Sequence, residues 1–419
     1  MGHSHSHDAS AGPPLRGRTA AVLAAILVPC AVLTLVALVW LWPGSSAHRP
    51  DLGTAPTQAN GDVLSVTRTA CPPATPGDTP DGQTCGDVQV RLTSGKDSGH
   101  RIRTGIPFGP GAPQVSPGDS VVLVYLPDVD PASAYHIIDQ QRSTSLWALM
   151  AAFALAVIAF GRWRGLSALA GLALTFAVLL VFIVPAILAG ESPLLVAIAG
   201  SAAIMLSVLF LTHGINLPTA IAVMGTLVSL VLTGVLGALF SAAAHLTGVS
   251  SDDTTFVSTT FAGVNMQGLL LAGIVIGSLG VLDDVAVTQS VTVTELAAAN
   301  PAYRFRELYR AATRVGRAHI ASVINTIILA YAGASLPVLI LIAAASQPLG
   351  QLLTSQQIAE ELVRSGVGTL GLIAAVPVTT ALAALAASRL PRATAPVDAA
   401  TPAAPARTRG RHATPSEVR

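Results

Sequence analysis

The chain has 419 residues, 52% of them hydrophobic and only 11% charged, against about 25% charged in an ordinary globular domain. With its 37 glycines the apolar share reaches about 60%, and 23 Lys and Arg against 22 Asp and Glu leave a net charge of +1. This composition excludes a cytosolic enzyme of usual make-up, and the balanced charge offers no overall handle to nucleic acid, so only the placement of charge informs.

The first residues read His3-Ser4-His5-Ser6-His7-Asp8. Alternate histidines are weak metal candidates, because a terminal tail has no packed surroundings to fix their geometry. Arg16 and Arg18 then precede an uncharged apolar stretch from 20 to 42. Its length exceeds the apolar core of a cleaved signal peptide, usually about 7 to 15 residues, and favours an uncleaved membrane anchor.

Residues 43 to 143 change character. Val88, Val90 and Leu92 alternate with polar residues, Val63 to Thr69 and Ile102 to Ile106 are short β-like runs, and Pro117-Gly118-Asp119 is a turn before Ser120 to Leu126. The expectation is a small, mainly β domain, either a barrel or a sandwich. Cys71 and Cys85 are its disulfide candidates, with Cys30 alone in the first apolar stretch.

Seven further uncharged apolar stretches follow, at 144 to 161, 166 to 189, 194 to 212, 217 to 243, 264 to 282, 320 to 345 and 367 to 387. All the charges lie outside the eight stretches, as expected when a charge at the centre of a membrane helix costs about 2.5 kcal/mol or more. The fold class read here is an α-helical polytopic membrane protein of eight transmembrane helices with a small mainly-β domain between the first two. Lys and Arg on alternate loops set the orientation. Arg16 and Arg18, Arg162 and Arg164, the run Arg304, Arg306, Arg310, Arg314 and Arg317, and the tail arginines share one side, while the short loops opposite carry only Arg364. Both termini are therefore expected in the cytoplasm of a plasma-membrane protein, with 43 to 143 outside. Residues 351 to 364 read as an amphipathic interfacial helix, and the Ala, Pro, Thr and Arg-rich tail from 389 as a disordered segment.

The polar chemistry gathers around the sixth stretch. A helix from Gly268 to Ala299 would carry Gly273, Gly277, Gly280, Asp284, Thr288, Thr292 and Glu295 along one face, with Asp283 about 100° away and Gln289 near it. The small-xxx-small spacing of Gly273 and Gly277 is expected to admit a neighbouring helix and turn this face inward. Adjacent carboxylates beside a membrane need water, a cation or an arginine, so Asp283, Asp284, Thr288, Gln289 and Glu295 are candidates for binding an ion or substrate, with Asn325 in support. The competing reading is structural: Asp283 and Asp284 pair with Arg310, Arg314 or Arg317 and anchor a loop.

Two motifs carry a resemblance. Gly277-Ser278-Leu279-Gly280-Val281-Leu282-Asp283-Asp284-Val285-Ala286-Val287-Thr288-Gln289-Ser290, with Glu295-Leu296 beyond it, and Asn325-Thr326-Ile327-Ile328-Leu329-Ala330-Tyr331-Ala332-Gly333-Ala334-Ser335-Leu336-Pro337 resemble the YibE/F family of multispanning bacterial membrane proteins. The similarity extends over about 120 to 390 and implies a transporter by topology alone. The function expected is movement of a small solute or ion across the bilayer, with a non-transporting scaffold or sensor as the alternative and a metal-cation exporter third. Lipid is the expected partner, and a homo-oligomer is open. Neither a cofactor motif nor a nucleophile with a matching base is seen, so an enzyme is not expected.

Overall fold

The computed structural model describes residues 18–44, 57–69, 85–109, 111–127, 134–344 and 348–389. His3, His5, His7 and Cys71 lie outside the described residues.

The β domain is one five-stranded antiparallel sheet. Its strands are β1 Thr57–Thr69, β2 Cys85–Leu92, β3 Arg101–Gly105, β4 Ser120–Tyr125 and β5 Tyr135–Gln140, in the order β3-β2-β1-β4-β5. The alternation read in β2 is realised: Val88, Val90 and Leu92 are buried, with Val63, Val121, Leu123 and Ile137 around them, while Asp87, Gln89 and Arg91 face out. The long β1 pairs with β4 through its first half and with β2 through its second, and a bulge between Val63 and Ser65 bends it where it changes partner. The two edges then approach each other, and Thr104 Oγ1 donates to the Tyr135 carbonyl at 2.6 Å. The sheet thus curls toward closure, as in a partly open barrel, and is not a sandwich. Gly86 opens β2 at φ 142°, and the Thr67 carbonyl occupies the place a Cβ would take.

The helical part comprises α1 Arg18–Trp40, α2 Ser143–Val178, α3 Val184–Leu188, α4 Pro193–His213, α5 Leu217–Ala243, α6 Asp252–Thr260, α7 Met266–Ala299, α8 Phe305–Ala334, α9 Leu336–Ala344, α10 Leu349–Leu353 and α11 Gln356–Arg389. A π-helical turn, Leu179–Ile183, joins α2 to α3. Local chemistry sets several starts. Asn216 accepts from Thr219 N–H ahead of α5, Asn265 from Gly268 N–H ahead of α7, and Ser251 and Thr254 cap α6 reciprocally.

Among the described residues six helical segments are long and apolar enough to cross a membrane: Ser143–Leu188, Pro193–His213, Leu217–Ala243, Met266–Ala299, Phe305–Ala334 and Gln356–Arg389. The eight apolar stretches read from the sequence map onto these six segments and the first helix. Within Ser143–Leu188 two helices meet at Arg162, in the short basic stretch between the second and third apolar stretches. Arg162, at φ 51° and ψ −127°, is not helical, and the chain turns back there so that Gly165 comes against the Val157 carbonyl. The first stretch contributes a shorter apolar helix, Leu27–Trp40. Two expectations change: the arginine-rich loop is the first half of α8, and the separate interfacial helix at 351 to 364 is largely the beginning of α11.

Helices α5, α7 and α11 pack together at the centre, with α4 against α7 and α8 against α11. Glycines mark the close approaches. At Gly225 a Cβ would strike the Thr379 side chain, at Gly371 that of Thr233, and at Gly316 it would lie 2.6 Å from Gln289 Nε2.

Candidate functional site

One side of α7 is closed and the other open. Val275, Ser278, Leu282, Val285, Ala286, Gln289 and Val293 are buried, whereas Gly273, Gly277, Gly280, Asp284 and Glu295 are exposed and Thr288 and Thr292 are half-buried. No atom lies within 4 Å of a Cβ built at Gly273 or Gly280, and at Gly277 only the Tyr331 hydroxyl does, at 3.7 Å. Within this chain the glycine face is therefore not the packing face. The broad Leu, Val and Ala surface opposite removes more apolar area from solvent and takes that role.

Asp283 stands at the edge of the closed side. It is half-buried, and its Oδ1 is buried without a hydrogen-bond partner among the described residues. Its neighbour Asp284 is exposed. Neither is paired with Arg310, Arg314 or Arg317: the ion pairs among the described residues are Arg142 with Asp139 and Arg364 with Glu361. The position lies well inside the bundle. Gly268 meets Pro193 near the start of α7 and α4, and Asp283 follows about 22 Å along α7, beside a 21-residue α4 about 31 Å long.

Gln289 lies between one and two turns beyond Asp283 and is fully buried. Its Oε1 accepts from Thr380 Oγ1 of α11 at 2.9 Å, while its Nε2 has no partner. Gly316 gives α8 the room to lie against that amide. With Tyr331 beside Gly277 and Gly316 beside Gln289, α8 runs antiparallel to α7, which brings residues 319 to 325 to the level of Asp283. His319 Nε2 and Thr313 Oγ1 on this helix are also buried without a partner, and Asn325 is exposed.

The structure thus brings Gln289 against Thr380 and Gly316, leaves Asp283 about 9 Å before it along α7 and on another side of the helix, and sets Glu295 near the far end of α7. Sequence reading missed the polar stripe of α5, where Thr226, Ser229 and Thr233 are buried, and Thr379 and Thr380 of α11. The three- and four-residue spacing on α5 is the signal that reveals it. It also missed Glu360, 3% exposed, whose Oε1 accepts from Gly248 N–H at 3.1 Å and Gln356 Nε2 at 2.7 Å while Oε2 accepts from Ser250 Oγ at 2.6 Å.

Chemically, the Asp283 carboxylate oxygen without a partner can hold a proton or a small cation, while the Gln289 N–H donors and the His319 nitrogen are separate unpartnered polar atoms. No cluster of three His, Cys, Asp or Glu suited to a metal occurs among the described residues. In the β domain Cys85 is disulfide-bonded, while Cys30 in α1 is free.

A helical bundle with six membrane-length segments and an appended β sheet defines a multispan integral membrane protein. The sequence model of the YibE/F-like proteins matches residues 149–389, more than half of the chain, and the protein belongs to that family. No curated protein and no solved structure matches it.

Proposed function

We propose that the protein moves a small cation or proton-coupled solute across the plasma membrane, with Asp283 as the binding or coupling acid and Asp284 as its second carboxylate. One observation carries this reading: Asp283 places a carboxylate oxygen inside an apolar bundle with no arginine, N–H or hydroxyl to neutralise it. A buried anion in that setting draws a proton or a cation, since an uncompensated charge costs several kcal/mol. On α8, residues 319 to 325, which include His319 and Asn325, lie at the level of Asp283.

The accompanying topology has eight crossings, with both termini in the cytoplasm and the β domain outside. The backbone break at Arg162 supports dividing Ser143–Leu188 in two, since a straight helix of 46 residues would be about 69 Å long, more than twice the hydrocarbon thickness. The bias of Lys and Arg toward alternate loops supports the orientation.

The test is flux into proteoliposomes across a series of pH values and monovalent and divalent cations, with wild type beside Asp283→Asn. The expected result is a cation- or pH-dependent flux reduced at least tenfold (about 1.4 kcal/mol) in the variant. Equal flux in wild type and variant would remove Asp283 from the mechanism.

A further inference from the structure

The outer face of the β domain carries three arginines on two adjacent strands. Arg91 of β2 and Arg101 of β3 are direct cross-strand partners, and Arg103, two residues along β3 on the same face, lies opposite Gln89. All three are exposed, and none forms an ion pair among the described residues. Two acids share this face: Asp62 of β1, the cross-strand partner of Arg91, accepts from Ser120 Oγ at 2.9 Å, and Asp87 lies diagonally from Arg103, opposite Gly105; neither forms an ion pair among the described residues, and three arginines against two acids leave the face net positive.

Like charges set directly across a strand pair, about 5 Å apart, repel each other. A phosphate placed between two guanidinium groups reverses that, because each can present paired N–H donors to its oxygens.

A chain of hydrogen bonds shows which end of the domain this is. Ser143 N–H, at the first residue of α2, donates to Gln141 Oε1 at 3.2 Å, and Gln141 Nε2 donates to Asn60 Oδ1 at 3.3 Å. Asn60 N–H donates to Ser94 Oγ at 2.8 Å, and its carbonyl accepts from Thr93 N–H at 2.7 Å. The β2–β3 hairpin, with Arg91 and Arg101 at its base, is therefore fastened to the first turn of a helix that enters the membrane. Lys96 adds charge at the hairpin, its Nζ 4.6 Å from the centre of the Tyr125 ring. The opposite end of β2, at Asp87, is about 14 Å further from that junction.

We propose that Arg91, Arg101 and Arg103 form a docking surface for the phosphate headgroups of anionic phospholipid in the leaflet that α2 enters. The surface holds the β domain down against the bilayer. It requires only that α2 begins at the membrane, so it stands apart from the transport reading.

The test uses the full chain in nanodiscs of phosphatidylcholine alone or mixed with phosphatidylglycerol, followed by amide hydrogen exchange over residues 91 to 103. Slower exchange is expected in the anionic discs, by about fivefold per arginine engaged, fading as salt is raised. It is expected to vanish in Arg91→Ala/Arg101→Ala/Arg103→Ala while β1 and β4 keep their protection. If the triple variant loses that protection, Arg101→Gln on the edge strand carries the test, with about fivefold less protection in anionic discs. Equal exchange in the two discs, or protection that survives the substitutions, would overturn the proposal. So would the same protection appearing in phosphatidylcholine discs on adding inorganic phosphate, which would make the surface a site for a free anion.

Discussion

The β domain and the helical bundle treat their polar side chains in opposite ways. In the β domain, polar side chains reach across the chain: Tyr135 donates to Asp97, Thr104 to the Tyr135 carbonyl and Ser120 to Asp62. In the bundle, most hydroxyls turn back onto their own helix, as Ser229 does to the Gly225 carbonyl and Thr233 to that of Ser229. Buried side-chain bonds between bundle elements then concentrate at two places, Gln289 with Thr380 and Glu360 with the segment after α5. The sheet is specified by polar contacts distant in sequence, whereas the bundle depends on shape, with glycines set against threonines and polar pairing confined to the contact of α7 with α11 and to one end.

That contrast is open to attack at several points. The largest effect is expected at Gly86. Substitution with Val meets both a left-handed backbone and the Thr67 carbonyl, and is expected to cost about 3 kcal/mol or more, unfolding the β domain while the bundle keeps its helical circular dichroism on heating. Next is Glu360→Leu, which strands the Gly248 N–H, the Ser250 hydroxyl and the Gln356 amide. A loss of about 2–3 kcal/mol is expected, read as faster amide exchange at residues 246 to 251.

Thr380→Val, which leaves Gln289 Oε1 unpaired, is expected to cost about 1–2 kcal/mol in thermal stability. Adding Gln289→Met should recover most of it, because both partners are then apolar. Persistence of the full loss in the double variant would show that shape, not pairing, governs this contact.

Smaller still is Tyr135. Burial and its hydrogen bond to Asp97 push the phenol up to about 12 from its usual 10. Its contribution is therefore complete below pH 10 and declines as pH rises from 10 toward 12; Tyr135→Phe should remove that decline and cost about 1 kcal/mol at neutral pH. The smallest effect belongs to exposed Asp139, whose carboxyl is held below its usual range by the Arg142 hydrogen bond and the Gln140 N–H. Its contribution is present above pH 3.8 and fades as pH falls below that value, a change to be read in amide exchange at residues 139 to 142.

Much of this architecture is legible in the sequence, because apolar length and two-residue alternation are local signals. The apolar stretches of α4, α5 and α7 and four of the five strands follow from them. β5 escapes notice since Tyr135 to Gln140 alternates over only its first few residues before turning polar. Burial direction on α7 was harder to read. The glycine spacing and the apolar surface opposite each satisfy a 3.6-residue period, and only the partners decide between them: Thr233 and Thr379 meet glycines of α11 and α5, not of α7. Asp283 is legible as a charge beside a membrane stretch, but the contact of Gln289 with Gly316 depends on α8 lying antiparallel to α7, which no local pattern specifies.

The π-helical turn at Leu179–Ile183 gives α2 and α3 a reading frame. Such a turn holds one residue more than regular helix, and that surplus rotates everything after it by about 100°. Phe182, Ile183, Ala186 and Ile187 owe their inward direction to it: Phe182 lies 5.9 Å from Trp42, and Ile183 fills the space that Gly200 leaves. Removing a single residue here would leave the helix straight and still long enough for the membrane. It would nevertheless turn this whole surface outward, a frameshift written in rotation instead of codons.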